Sequence, residues 1–205
     1  MFTVYGDILS GNCYKIKLLC SLLQLEHRWQ HVDILQQQTH SGHFLALNPN
    51  GKIPLLQFEN GDTLWESNAI LNYLAQGSVF LPDDNFMRAK ILQWQFFEQY
   101  SHEPYIAVAR FIALYLKLPK ERLDEFKSKQ EGGYKALAVM EKQLQENPFL
   151  TGEQYTIADI SLYAYTHVAD EGGFDLQAYP AIRAWLKRIN QHPLHTTMSS
   201  HDDER

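Results

Sequence analysis

The hydrophobic positions of this chain change their spacing as it proceeds, and the change divides it in two. Phe2-Thr3-Val4-Tyr5 reads as a short strand. A loop from Gly6 to Asn12 leads into a helix predicted over about residues 13–25, with Ile16, Leu19, Cys20 and Leu23 at the spacing of a buried stripe. A second strand, about residues 28–34, completes a strand-helix-strand unit, and such units are parallel and right-handed. A short helical segment follows around residues 42–47. Pro54 then opens an apolar run through Phe58, Asn60-Gly61 supplies a strong hairpin signal, and Thr63-Leu64-Trp65 is the partner strand. Straight after it Ser67 or Asn68 caps a further helix, with Ala69, Ile70, Leu71, Tyr73 and Leu74 as its apolar positions.

Gly77 stops that helix, and residues 78–84, with Pro82 and two aspartates, read as a linker. From residue 85 no strand signal of comparable strength returns. Ile91, Trp94 and Phe97 lie on a long helix that Pro104 must kink or interrupt, and about residues 105–116 carry it on. The next helix spans about residues 120–147, weakened near its middle by Gly132-Gly133. Thr156-Ile157-Ala158-Asp159 is a capping box before a buried helix, and Pro180 opens a last helix with Trp185, Leu186 and Ile189 inward. The expected organisation is a mixed α/β domain over residues 1–77, the linker 78–84, an all-helical domain over 85–195, and a disordered polar tail over 196–205.

With 45% hydrophobic and 13% aromatic residues, the 205-residue chain has the composition of a globular protein. A formal net charge of -6 argues against nucleic acid as a partner. No apolar run is long enough to span a membrane, and the N-terminus lacks the basic start of a secretory signal, so a cytoplasmic location is expected with no membrane partner. The two cysteines, Cys13 and Cys20, stand too far apart along one predicted helix to bridge each other, which suits a reducing compartment. His40 and His43 are the start of a metal-ligand spacing that no further cluster completes, so no metal is expected.

The chemistry concentrates at the turn Asn48-Pro49-Asn50-Gly51-Lys52-Ile53-Pro54. An Ile-Pro bond in a tight turn at a strand's first residue is a candidate for the cis isomer, leaving the Ile53 backbone able to pair with an extended peptide ligand. The predicted N-terminus of the helix at Ser67 falls beside this turn. Its free N–H groups, the Ser67 hydroxyl and the helix dipole suit a carboxylate, while Glu66 suits an ammonium. The ligand so described is a small peptide-like zwitterion.

Asn-Pro-x-Gly-Lys-Ile-Pro-x-Leu, a hairpin, and then Glu66-Ser67-Asn68-Ala69-Ile70-Leu71 together resemble the glutathione-binding half of the cytosolic glutathione S-transferases, with a bacterial, serine-type active site. The resemblance covers essentially all of the chain except its tail. It implies a thioredoxin-like domain (βαβαββα) followed by an all-helical domain, a homodimer, and glutathione as co-substrate without metal. By that resemblance Ile53, before Pro54, holds the cysteinyl backbone of glutathione, and Glu66 and Ser67 hold its γ-glutamyl group. Lys52 offers a cation to the glycine carboxylate or is a solvated turn lysine, and His40 and Gln38 lie in the loop before it.

Ser10-Gly11-Asn12-Cys13 opens the first helix, where thioredoxins carry Cys-x-x-Cys. A serine in the first cysteine position cannot cycle through a disulfide, so the chemistry falls to a thiol brought by the ligand. Lowering a thiol pKa of about 8.5 by two units needs about 2.7 kcal/mol. One hydrogen bond from a hydroxyl to an anion supplies about 1.5 to 3 kcal/mol. Ser10 is the expected donor, a role the matching serine has in serine-type glutathione transferases, and a helix N-cap is its compatible second reading. Asn12 competes through its amide. Tyr5 competes as a tyrosine-type activator or is a packed strand residue, and Cys13 is a small buried hydrophobe or a thiol for exchange.

The electrophile is expected where two domains face each other, with Tyr105 and Arg110 as an aromatic platform and a cation, or else as ordinary core and surface. The expected reaction is attack of glutathione thiolate on a small, soft, largely apolar electrophile. Glutathione-dependent disulfide-bond reduction or isomerisation is the alternative, and a non-enzymatic scaffold is the second. Ser10-Gly11-Asn12 departs from the Ser-Ser-Cys of the maleylacetoacetate isomerases, which weakens isomerisation.

Overall fold

A computed structural model describes residues 1–198, and these divide into two compact units: residues 1–78 together with the segment from Pro193 onward, and residues 79–192. The first unit is built on a four-stranded sheet in the order β2-β1-β3-β4, from β1 (Phe2–Gly6), β2 (Arg28–His31), β3 (Leu55–Phe58) and β4 (Thr63–Trp65). β1 runs parallel to β2 and antiparallel to β3, and β3 is antiparallel to β4. With α1 (Gly11–Leu22), α2 (Gly42–Leu47) and α3 (Ser67–Leu74) the unit has the βαβαββα order of a thioredoxin-like domain.

The period of two along β1 sorts the two faces of the sheet. Tyr5 and its partner Leu55 belong to the face covered by Val32, Phe44, Leu47 and Ile53, so α2 seals that side. Gly6, on the opposite parity, lies against α1: a Cβ there would stand 2.8 Å from the Cys13 sulfur, too close for any other residue. Val4 and Leu56 share that face with the buried stripe Ile16, Leu19 and Cys20.

Several boundaries differ from those the spacing predicts. α1 begins at Gly11, two residues early, because Ser10 is its N-cap, and it ends at Leu22 because Gln24 adopts a left-handed φ of 52°. β2 stops at His31, since the Asp33 carboxylate accepts from the Leu35 and Gln36 N–H groups and turns the chain. The N-cap of α3 is Glu66, with φ 72° and no side-chain cap, where Ser67 or Asn68 was expected. The segment after Pro193 corrects the expected tail. Ser21 donates to the Leu194 carbonyl at 2.8 Å, and the buried Tyr14 hydroxyl donates to the Thr196 carbonyl at 2.7 Å. Residues 199–205 of the expected tail lie outside the described residues.

The second unit is helical: α4 (Asn85–Phe97), α5 (Glu103–Arg110), α6 (Leu123–Glu146), α7 (Ile157–Thr166) and α8 (Pro180–Asn190). The expected interruption at Pro104 is a wide π-helical turn over Glu98–His102, after which α5 starts afresh with the proline in its first turn. Gly132 and Gly133 of α6 acquire a reason: the rings of Tyr105 and Phe174 lie directly on them, leaving no room for a Cβ. Every residue of α7 is buried. Among the described residues, no helix is long and apolar enough to cross a membrane.

Asp159 closes the capping box of α7 and does more. One carboxylate oxygen accepts from the Leu150 N–H and the Trp185 indole, each at 2.9 Å, and the other from the Thr156 N–H at 3.0 Å. Asp159→Ala leaves these buried donors without acceptors and is expected to cost about 3 kcal/mol or more, read as a lowered urea midpoint. Burial raises the Asp159 carboxyl to about 6 against the hydrogen bonds that lower it. Its folded pKa thus lies above the unfolded value, so its protonation favours the fold, fully below about pH 4 and progressively less as pH rises through 6. The destabilisation by Asp159→Asn should therefore be larger at pH 5 than at pH 8, measured by urea unfolding at both.

Candidate functional site

Ser10 caps α1 in extended geometry, φ -76° and ψ 123°, and its Oγ accepts from the Cys13 N–H at 3.5 Å. A hydroxyl can accept and donate at once, and this one also bonds the Cys13 thiol. Asn12 stands in the first turn of the same helix, half-buried. Its Oδ1 accepts from the Ser67 hydroxyl at 3.2 Å, which ties the start of α1 to the start of α3. Two helix N-termini and two hydroxyls are thus gathered at one place, an arrangement suited to negative charge.

The turn before β3 supplies the peptide-like part. The Ile53-Pro54 bond is cis, and sheet pairing begins only at Leu55, so Ile53 stands outside the ladder. Asn48 braces the turn, donating from Nδ2 to the Lys52 carbonyl at 2.7 Å and accepting from the Asn50 N–H at 3.0 Å. Asn50 in turn donates to the Glu66 carboxylate at 3.5 Å, joining the turn to the cap of α3. Glu66 is exposed, and its left-handed backbone is a conformation that persists in a non-glycine residue only where its surroundings hold it. Lys52 is exposed, and the His40 ring lies 3.7 Å from the Cβ position of Gly51 in the same turn. Gln38 is occupied locally, accepting from the Asp33 N–H at 2.8 Å.

Ser10, Asn12, Lys52, Ile53, Pro54, Glu66 and Ser67 all belong to the first unit. Direct bonds link Asn12 with Ser67, while Glu66 is linked to the proline turn through Asn50. Tyr5 is a packed strand residue, its hydroxyl donating to Gln57 at 2.8 Å and its ring edge-on to Phe44. Cys13 is fully buried, and burial, only partly offset by the Ser10 hydroxyl, pushes its thiol up to about 12. It is a packing residue and not a thiol for exchange.

Two expectations in the helical unit require correction or narrowing. Arg110 was read as a cation for developing charge. Its side chain is instead 3% exposed and paired with Glu171 at 2.6 Å, with Gly172 against its backbone, so its charge is already neutralised within the unit. Tyr105 is half-buried, its ring on Gly132 and 5.9 Å from the Lys129 ammonium.

Lys15 was missed. It is wholly buried in α1, and its Nζ donates to the Ser67 hydroxyl at 3.2 Å. A charged residue three, four and seven positions before Leu18, Leu19 and Leu22 was the signal, since it falls on the buried side of an otherwise apolar helix.

The chain matches two family models, "Glutathione S-transferase, N-terminal domain" over residues 9–76 and "Glutathione S-transferase, C-terminal domain" over residues 94–193. It is 30% identical to the disulfide-bond oxidoreductase YfcG of Escherichia coli, over 89% of this chain and 87% of that protein. A glutathione S-transferase structure from Pseudomonas fluorescens superposes with a TM-score of 0.95 at 63% identity, covering 97% of this chain and 99% of the other. The transferase URE2P6 of Phanerochaete chrysosporium, solved with oxidised glutathione, superposes at 0.84 with 26% identity, over 94% and 92% of the two chains. With most of its length matched by the two models and its fold and site elements in the expected order, this chain belongs to the glutathione S-transferase family.

Proposed function

We propose that the protein binds reduced glutathione, holds its sulfur as thiolate, and directs that thiolate at a small, soft electrophile. The observation that carries this reading is the place of Ser10: an N-cap at the start of α1, its Oγ accepting from the Cys13 N–H, two residues before Asn12, whose bond to Ser67 ties α1 to the start of α3. A serine hydroxyl is too weak a base to take the thiol proton. It acts by hydrogen-bonding the anion, with the N-terminus of α1 adding to the same effect. Asn12, tied through Oδ1 to Ser67, is the second donor.

The rest of glutathione is assigned by chemistry. The cysteinyl backbone pairs with Ile53 beside cis-Pro54, as an added strand would. The γ-glutamyl carboxylate goes to Ser67 and the N-terminus of α3, its ammonium to Glu66, and the glycine carboxylate to Lys52. The attack forms a carbon–sulfur bond to the electrophile and expels its leaving group, leaving a thioether.

Disulfide-bond reduction is the second reading, favoured by the printed name of the Escherichia coli relative. It shares the first step, since the same thiolate would attack a sulfur in place of a carbon. This protein's own cysteines are poor participants, because burial pushes both thiols to about 12.

The proposed assembly is a dimer of two copies. Phe86, Leu92, Phe96 and Tyr100, on the outward side of α4 and the turn after it, are 71%, 42%, 70% and 86% exposed, opposite the buried Ile91 and Trp94. A largely aromatic, apolar stripe of this kind is a surface that another protein covers.

Three outcomes test these readings. Ser10→Ala should lower the rate of conjugation to a model aromatic halide about 10²-fold, and the ultraviolet absorbance of bound thiolate should vanish at neutral pH. If conjugation survives that change and Asn12→Ala removes it, the leading role passes to Asn12. Neither cysteine should react with a chromogenic disulfide in the native protein at pH 7, while both react in urea; rapid native labelling of Cys13 would revive exchange through the protein's own thiol. Light scattering should return twice the chain mass, and Phe96→Glu should shift the protein to the monomer.

A further inference from the structure

Glu66 is an exposed carboxylate that does nothing for the helix it precedes. It is the N-cap of α3, yet its side chain makes no cap bond, and its backbone stands at φ 72° and ψ 111°, outside the helical range. Among the described residues no lysine, arginine or histidine pairs with it. The one polar partner of its side chain is Asn50, whose Nδ2 donates to Oε1 at 3.5 Å.

Asn50 is exposed as well, but it stands on a firm base. Its N–H donates to Asn48 Oδ1 at 3.0 Å, and the Gly51 N–H donates to the Asn48 carbonyl at 3.0 Å. Asn48 is 1% exposed and holds the Lys52 carbonyl through Nδ2 at 2.7 Å. The turn that carries Ile53 and cis-Pro54 is therefore built around a buried asparagine, and the Asn50 amide projects from that turn to the flexible side chain across from it.

The chemistry of the pair matters as much as its position. A carboxylate has two accepting oxygens, and Asn50 engages one of them. An amide donor is neutral, so the bond leaves the negative charge in place, where a lysine or arginine would cancel it. A long bond between two exposed groups contributes little to folding. What it changes is where the charge is held.

We propose that Asn50 is a positioning residue for the amino end of the ligand: its neutral amide steers one oxygen of Glu66 without cancelling the charge, which leaves the other oxygen to the γ-glutamyl ammonium. The inference rests on the assignment of that ammonium to Glu66. It gives the proline turn a second part in recognition, since the turn pairs with the peptide backbone at Ile53 and acts on the amino group through Asn50. A peptide without the amino group gains nothing from Asn50, so the pair selects for a free amine.

Isothermal titration calorimetry with glutathione and with glutaryl-cysteinyl-glycine, the same peptide with hydrogen in place of its amino group, tests this. Asn50→Ala keeps the backbone N–H that bonds Asn48 and removes only the steering amide. It should weaken glutathione about fivefold and the glutaryl peptide by less than about twofold. Glu66→Gln should weaken glutathione about tenfold or more, and adding Asn50→Ala to it should weaken binding no further. An equal loss for both peptides in Asn50→Ala overturns the proposal, because a loosened turn affects the whole ligand alike. Wild-type affinity for glutathione in Asn50→Ala, with Glu66→Gln impaired, overturns it too. Wild-type affinity in Glu66→Gln takes the ammonium away from Glu66 and the proposal with it, and that failure is distinguishable because it shows with Asn50 unchanged.

Discussion

The hydrogen bond between Ser67 and Asn12 holds two helix beginnings together, and the candidate site exists because of it. Each helix start leaves N–H groups without intrahelical partners and carries partial positive charge. One such start is a common and weak feature. Two, set edge to edge by α1 and α3 packing on the same sheet, give a small region where donors converge from both sides. The proline turn is tied to this region through Asn50 and Glu66, so Ile53 and the start of α3 are held next to each other. Positioning comes from backbone packing, and only a few side chains are left to decide the chemistry.

The sequence made the order of elements readable, and the reasons are local. Asn60-Gly61 specifies a hairpin, Pro54 opens a strand, and Thr156 with Asp159 starts a helix, each through bonds made within a few residues. Ser10, Ile53, Glu66 and Ser67 stood out as candidates for a similar reason, being placed by motifs of fixed order. What escaped was set by contacts distant in sequence. α8 has no cap of its own. Its first N–H groups, at Ala181 and Ile182, donate to the Glu141 carboxylate on α6, at 3.0 and 2.9 Å. Arg110 looked like a free cation because Glu171, its partner, is sixty-one residues away. Lys15 escaped for the opposite reason: one charge in a helical stripe is ordinarily turned outward, and nothing near it in sequence announces Ser67 as its acceptor.

Buried polarity also separates the two units in kind. In the helical unit, Asp159 gathers the Leu150 and Thr156 N–H groups with the Trp185 indole and Glu141 gathers the N–H groups that begin α8, so their carboxylates act as joints between helices. In the first unit, Lys15 and Ser67 lead outward to a half-buried amide. The joints of the helical unit are closed on themselves, with every atom committed to structure.

Tyr14 and Ser21 grip the carbonyls of Thr196 and Leu194, so the first unit incorporates residues from near both ends of the sequence. On the ribosome this has a consequence in time. At a translation rate of about 5 to 20 residues per second, the strands and helices of the first unit emerge on the order of ten seconds before residues 194–196 exist. For that interval the outer side of α1 lacks its final layer, and the helix that carries Ser10 and Asn12 is secured from the sheet side alone. Residues 194–196, made well after α1, are thus a clasp on it, and the unit reaches its finished packing only after the helical unit has been synthesised.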